Sequence, residues 1–174
     1  MIETDRLILR SWRPDDLPDF SAINADPRVA EWLGGIRTVE ETAETTALIN
    51  AHIAERGYGF WAAELKADAR LVGMIGLKHH EESPPGPCVE MGWRLAHDCW
   101  GQGLATEGAK AALAWGFANL DAEEIIAFTA ASNLASQAVM IRLGMTHEPL
   151  RDFEHPQLPP GHPLRRHVVF AAKR

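Results

Sequence analysis

A chain of 174 residues with 46% hydrophobic and 24% charged residues is long enough for one domain with a buried core and ordinary in make-up for a soluble protein. No run approaches the ~18 apolar residues of a membrane helix, and a formal net charge of −7 argues against a nucleic-acid-binding surface while favouring a cationic or amine substrate by long-range steering. The opening Met1-Ile-Glu-Thr-Asp-Arg6 carries acids and no long apolar stretch, so it does not read as a secretion signal. Cys88 and Cys99, 11 positions apart and without metal-type partners, suit free thiols in a reducing, cytoplasmic setting.

Leu7 to Trp12 alternates apolar and polar residues and predicts an opening strand. Pro14 starts a helix to about Asn24, with Asp15 and Asp16 in its first turn, where acids suit the helix dipole. Thr38, with Glu41 three residues on, has capping-box spacing and predicts a helix to Arg56, stopped at Gly57. Phe60 to Leu65 and Leu71 to Lys78 read as a hairpin, Ser83 to Pro87 as a loop, and Val89 to Leu95 as the next strand. Leu104 to Leu120 is the clearest helix: Ala109, Ala112, Leu113, Gly116, Phe117 and Leu120 share one face, and its small residues would let it lie close to a sheet. Glu124 to Ala130 follows as a strand and Leu134 to Leu143 as a helix closed by Gly144. Two last strands, near Thr146 to Phe153 and His167 to Ala172, enclose a proline-rich loop at 156–163. Mostly hairpins with one βα-βα stretch predict a single domain over 1–174 of the α/β class, α+β type, built on a mixed, mostly antiparallel central sheet.

Between the strand at 89–95 and the helix from Leu104 lies Trp100-Gly-Gln-Gly-Leu-Ala-Thr-Glu107, a glycine-bearing turn that aims backbone N–H groups at one point and predicts a phosphate site. No Gly-Lys-Ser/Thr follows the glycines, so it is not a P-loop. A dinucleotide fingerprint fits poorly. Thr106 stands at the third glycine position, five residues (Ala96 to Trp100) precede the first glycine, and Asp121 comes before the next strand rather than at its end. Two glycines alone could be no more than a tight turn before a helix.

The order of motifs goes further. Glu3-Thr-Asp-Arg-Leu-Ile-Leu-Arg10, Glu90-Met-Gly-Trp-Arg-Leu95, the turn at 100–107, Asn133-Leu-Ala-Ser136, Arg142-Leu-Gly-Met145 and His167-Val-Val-Phe170 together cover nearly the whole chain. In this set the chain resembles the GCN5-related N-acetyltransferases (GNAT), in the branch of the ribosomal-protein-alanine N-acetyltransferases (RimJ/RimL-like). The resemblance implies an acyl-CoA N-acyltransferase fold, its sheet splayed between the strands at 89–95 and 124–130 with helices on both faces, and acetyl-CoA lying in that V. It implies that the pyrophosphate rests on the N–H groups of Gly101, Gln102, Gly103, Ala105 and Thr106, and that the pantetheine arm pairs with backbone around Arg94 and Leu95. Trp100 departs from the superfamily, which usually carries Arg or Gln at the head of the turn.

Acetyl transfer to an amine requires a base for the ammonium proton, a donor to the developing oxyanion and stabilisation of the departing thiolate. Glu90, on the strand that ends at the turn, is the candidate base; in a partly apolar cleft a carboxylate rises toward the useful range. Its alternatives are a structural pairing or recognition of the ammonium, and His79 and His80 are lesser base candidates. The single tyrosine, Tyr58, is misplaced for thiol protonation, so the resemblance assigns that task to Ser136. Asn133 is an N-cap and, by resemblance, a partner of the pantetheine arm. An oxyanion donor is expected from a backbone N–H near Met91 and Gly92, freed by a bulge. Trp93 and Trp115 are expected in the core, whereas the resemblance turns Trp32 toward the acceptor. His155, His162 and His167 lack zinc spacing, and no metal is expected. The activity predicted is acetyl-CoA-dependent N-acetyltransfer by direct attack in a ternary complex, onto an amine-bearing small molecule or a protein N-terminus. Neither membrane nor nucleic acid is expected as partner, and exposed strand edges would suit a homodimer. The rival reading is a non-catalytic acyl-CoA-binding sensor or scaffold.

Overall fold

A computed structural model describes all 174 residues. Its elements, in chain order, are β1 (Ile2–Glu3), β2 (Leu7–Arg10), α1 (Leu17–Ala25), α2 (Pro27–Ala30), α3 (Val39–Arg56), β3 (Phe60–Leu65), β4 (Leu71–His80), β5 (Cys88–Leu95), α4 (Leu104–Asn119), β6 (Glu124–Ala130), α5 (Leu134–Arg142), β7 (Thr146–His147), β8 (Phe153–Glu154) and β9 (Arg166–Lys173). The strands form one sheet in the order β1-β2-β3-β4-β5-β6-β9-β7, with β8 also on β9. Every pairing is antiparallel except that of β5 with β6, which are parallel and meet at one residue pair, Glu90 with Ile126. Beyond that pair the strands part, and the sheet opens toward the carboxyl ends of both.

Local rules account for most element boundaries. The Thr38 hydroxyl accepts from the Glu41 N–H at 3.1 Å and the Glu41 carboxylate accepts from the Thr38 N–H at 2.8 Å, the reciprocal capping box that starts α3. Gly57, at φ +78°, ends the helix in a left-handed conformation suited to glycine. Helix α4 packs against β4 and β5, while α1 and α3 cover the opposite face. Close approach of α4 depends on its small residues: a Cβ added at Gly116 would sit 2.7 Å from both Ile125 Cδ1 and Leu77 Cδ1.

Three expectations need correction. The segment 146–153 is not one strand. Pro149 lacks an N–H for the ladder and begins a 3₁₀ turn at Pro149–Arg151, leaving the two-residue pieces β7 and β8. Pro14 opens a 3₁₀ turn, Pro14–Asp16, before α1 begins at Leu17; the short α2, capped by Asp26, follows it. No bulge occurs at Gly92. The β4–β5 register runs unbroken from Gly73–Leu95 to His80–Cys88, so the splay from β6, rather than a bulge, leaves one side of β5 unpaired. The outer strands β1, β7 and β8 have two residues each.

The main core lies between α4 and the sheet, with Leu7, Leu9, Ile75, Leu77, Met91 and Ile125 almost fully buried. A second cluster under α1 and α3 holds Trp12, Phe20, Ile23 and Met74. At the edge of this second core Arg10 is buried, its guanidinium bonded to both Asp16 oxygens and to Glu64 Oε2, each at 2.7 Å. Burial alone would raise the Asp16 carboxyl, but the bonds from Arg10 and from the Arg13 N–H hold it below the usual carboxylate range. A depressed folded value stabilises the protein at neutral pH, and that contribution is lost as pH falls below the value of the unfolded chain. Breaking this buried pair by Asp16→Ala should therefore cost about 3 kcal/mol near neutrality. The deficit relative to the parent should narrow below about pH 4, as measured by urea unfolding across pH.

Candidate active site

Strand β5 alternates its side chains between the two faces of the sheet. Met91, Trp93 and Leu95 pack toward the α4 core, which puts Glu90, Gly92 and Arg94 on the face covered by α1 and α3. Trp93 and Trp115 both pack against the main core, as expected. Where β5 and β6 part, they open a cleft of about 1080 Å³ lined by β5 from Glu90 to Leu95, by Phe128 to Ala130 of β6, by the turn into α4, and by Asn133, Ser136 and Met140 of the following loop and α5. Val29, Trp32, Leu33 and Phe60 wall it on the α1–α2 side, so Trp32 faces the cleft. Volume and mixed lining suit a small-molecule site.

The turn supplies an anion cradle. Gly101 and Gly103 both have positive φ, +73° and +81°, a conformation that a side chain would strain. No side chain caps α4, and the N–H groups from Gly101 to Thr106 donate to no acceptor within the protein. They converge at the positive end of a 16-residue helix. Gly101, Gly103, Ala105 and Thr106 line the cleft. Gln102 lies outside that lining, with its side-chain amide donating to the Asp98 carbonyl at 2.6 Å.

Two residues at this turn were not singled out in the sequence. Arg6 Nη1 donates to the Gln102 carbonyl at 3.0 Å, and the same guanidinium pairs with Glu107 at 2.7 Å, which sets a half-exposed cation beside the free N–H groups. Desolvation would raise Glu107, but bonds from Thr4 Oγ1, the Arg6 N–H and the Arg6 guanidinium hold its carboxyl below the usual range. Trp100, at the position of the superfamily's Arg or Gln, donates from Nε1 to the Leu95 carbonyl at 2.9 Å. One carbonyl of the Arg94–Leu95 pair is thereby engaged by the protein itself.

At the apex of the splay, Glu90 Oε2 lies 2.6 Å from His80 Nε2, and both side chains are mostly withdrawn from solvent. The register sets Glu90 opposite Lys78 and His80 opposite Cys88, so His80 and Glu90 form a diagonal cross-strand pair. Gly92 keeps this face open: an added Cβ would meet the Phe60 ring at 2.8 Å and come within 3.7 Å of Glu90 Oε1. Phe128, Phe153 and His167 form an aromatic wall nearby; His167 stacks on Phe153 with ring centroids 5.2 Å apart, and burial holds its imidazole below the ordinary value. His79 instead turns outward to the exposed Glu81, at 3.1 Å. The late histidines do not gather into a group of ligands that could hold a metal.

On the other arm of the V, Asn133 is buried and its Oδ1 accepts from the Ser136 N–H at 3.1 Å, capping α5. Its Nδ2 donates to no protein atom, and the Ser136 hydroxyl, also without a protein partner, lines the cleft. Of the residues expected to act together, all but Gln102 thus line one continuous cavity. The residues fit coenzyme A: unpaired N–H groups and a cation for phosphates at one end, an unpaired strand face along the arm, and polar atoms on α5.

Comparison with known proteins agrees. The family model described as an acetyltransferase (GNAT) domain matches residues 6–146. A fungal relative, FsC-acetyl coenzyme A-N(2)-transacetylase of Aspergillus fumigatus, is 30% identical over 147 residues, covering 80% of this chain and 62% of its own length. This chain therefore spans less than two thirds of that relative. An acetyltransferase from Agrobacterium tumefaciens superposes with a TM-score of 0.81 at 26% identity, covering 99% of this chain and 94% of the other. A ribosomal L7/L12 alpha-N-protein acetyltransferase, RimL, solved with coenzyme A, superposes with a TM-score of 0.75 at 18% identity, covering 98% and 95%. The chain belongs to the GNAT family of acetyl-CoA-dependent N-acetyltransferases.

Arg6 sets a half-exposed cation against the turn. Arg6→Met should weaken CoA binding roughly two- to fivefold at low salt. The loss should shrink as ionic strength rises, as read by isothermal titration.

Proposed function

We propose that the protein acetylates a primary amine by direct transfer, donor and acceptor being bound together, and that residues 1–174 form the single domain that does so. One sheet takes in strands from Ile2 to Lys173, which supports the single-domain reading. The observation that carries the proposed chemistry is the Glu90–His80 pair, lodged at the apex of a splay whose other arm presents Asn133 and Ser136.

Bound acetyl-CoA supplies the acetyl group, and the chain supplies proton management and positioning. Gly101, Gln102, Gly103, Ala105 and Thr106 hold the pyrophosphate through their N–H groups, with Arg6 beside them. Backbone around Arg94 and Leu95 and the free Nδ2 of Asn133 hold the pantetheine arm. Glu90 accepts the ammonium proton, directly or through His80, since the two share one short hydrogen bond. An unpaired β5 N–H near Met91 and Gly92 donates to the carbonyl oxygen as charge develops there. The proton that restores the free thiol comes from the Ser136 hydroxyl. The serine recovers a proton from the acceptor nitrogen, which becomes cationic on attack, and the proton held by Glu90 leaves to solvent, so that amide, free thiol and carboxylate result.

Direct transfer is favoured by the state of the thiols. Cys99 is buried and Cys88 half-buried, and burial pushes both above the ordinary thiol value, away from the thiolate that a covalent route needs. The acceptor class that the overall likeness suggests is a protein N-terminus, after the RimL relative, or a small amine. The net charge of −7 would draw either toward the protein.

Glu90→Gln should lower kcat on the order of 10²-fold and displace the acid limb of the pH–rate profile upward, because only amine already free in solution could then react. An unchanged profile would exclude Glu90 as base. Ser136→Ala should lower kcat by a similar order while leaving the Kd for CoA within about twofold; equal turnover in the two proteins would remove the serine from the reaction.

A further inference from the structure

Two arginines of this chain are withdrawn from solvent on the α1–α3 side of the sheet, and they are treated differently. Arg10 has Asp16 and Glu64. Arg94 has no carboxylate within salt-bridge distance. Its Nη1 donates to Asn24 Oδ1 at 2.8 Å, its guanidinium carbon lies 5.7 Å from the centroid of the Phe20 ring, and its Nε is buried with no partner. Asn24, 1% exposed, is itself fixed from the other side, donating to Thr42 Oγ1 at 3.2 Å. Burial, with the positive charge of Arg37 adding to it, pulls the Arg94 guanidinium down to about 10. A desolvated cation without a counter-ion is costly, and such groups are normally paired.

Arg94 lines the cleft, on the wall shared with Val29, Trp32 and Leu33, and it stands on the same face of β5 as Glu90. Only Gly92 lies between them on that face, where an added Cβ would meet the Phe60 ring at 2.8 Å. Four strand residues separate the two by about 13 Å of backbone. The site thus has a base at one end of a straight strand and an unpaired guanidinium at the other.

We propose that Arg94 is a specificity-determining residue that binds a carboxylate carried by the acceptor, so that the preferred substrate is an amino acid derivative or short peptide whose amine reaches Glu90 while its carboxylate meets Arg94. The proposal rests on the acetyl-transfer reading of the cleft. Arg's planar fork suits a carboxylate, and Phe20 and Asn24 hold the fork in one orientation. Arg37 raises the local positive potential further, against the −7 of the chain as a whole.

The test uses matched pairs, ω-amino acids and dipeptides against their carboxamides, with acetyl-CoA and thiol release as the readout. For at least one chain length the acid should exceed its amide in kcat/KM by roughly ten- to a hundredfold. Arg94→Met should bring that ratio to about one, and Arg94→Lys should keep part of it, with the melting temperature of each variant reporting that it folds. Equal kcat/KM for acid and amide in every turned-over pair, or a ratio unmoved in Arg94→Met, overturns the proposal. So does an intact acid preference in Arg94→Met combined with lost affinity for CoA, which would put the guanidinium on the donor's phosphates. If CoA binds but no member of any pair is acetylated, the transfer reading is what fails. Calorimetry of the acids and amides on the CoA-loaded protein then decides the anion site by itself, and equal or absent binding of both overturns it.

Discussion

The single residue pair that joins β5 to β6 governs the rest of the architecture. Parallel strands normally zip over several residues, yet here pairing stops at Glu90 with Ile126. Past that point each strand has backbone groups without a partner strand, in the middle of a sheet, where such groups need one. The cleft, the exposed N–H groups of β5 and the convergence of α4 and α5 on one cavity all follow from it. The same junction puts Glu90 at the apex, where it is desolvated by both halves of the sheet yet remains at the edge of the opening.

Holding a sheet open requires rigid halves. On the α4 side the requirement is met by small residues: with Gly116 in place, α4 seats directly on Leu77 and Ile125 and clamps β4 to β6 from behind. On the other side, the Arg10–Asp16–Glu64 network ties the turn before α1 to β2 and β3. The backing is therefore apolar on one face and ionic on the other. Desolvation of a paired ion cluster adds little net stability compared with a well-packed apolar one, but it tolerates few alternative arrangements.

Motifs that act within a few residues of themselves were readable in the chain: the Thr38–Glu41 box, the Gly57 and Gly144 helix ends, the 104–119 helix and the glycine turn. Features that depend on pairing across long loops were not. His80 and Glu90 meet because the 81–87 connection sets one register rather than its neighbour, and no periodicity reveals that choice. The Arg6–Glu107 contact joins residues 101 positions apart. Arg94 was legible as backbone on a strand, but the absence of an acid paired with its side chain appears only once α1 sets Asn24 and Phe20 against it. Pro149 was in plain view and could have split the 146–153 segment, since its missing N–H forbids a regular ladder.

The Thr4, Arg6 and Glu107 contacts have a thermodynamic corollary. The beginning of the chain is fastened to the first turn of α4, the same turn whose N–H groups face the cleft. Any free energy by which ligation of that turn orders the amino-terminal residues is returned in equal measure when their ordering favours ligation. Where such coupling exists, amide exchange at residues 4–7 is a remote gauge of cleft occupancy, and an extension fused ahead of Met1 acts on the turn from outside the cleft.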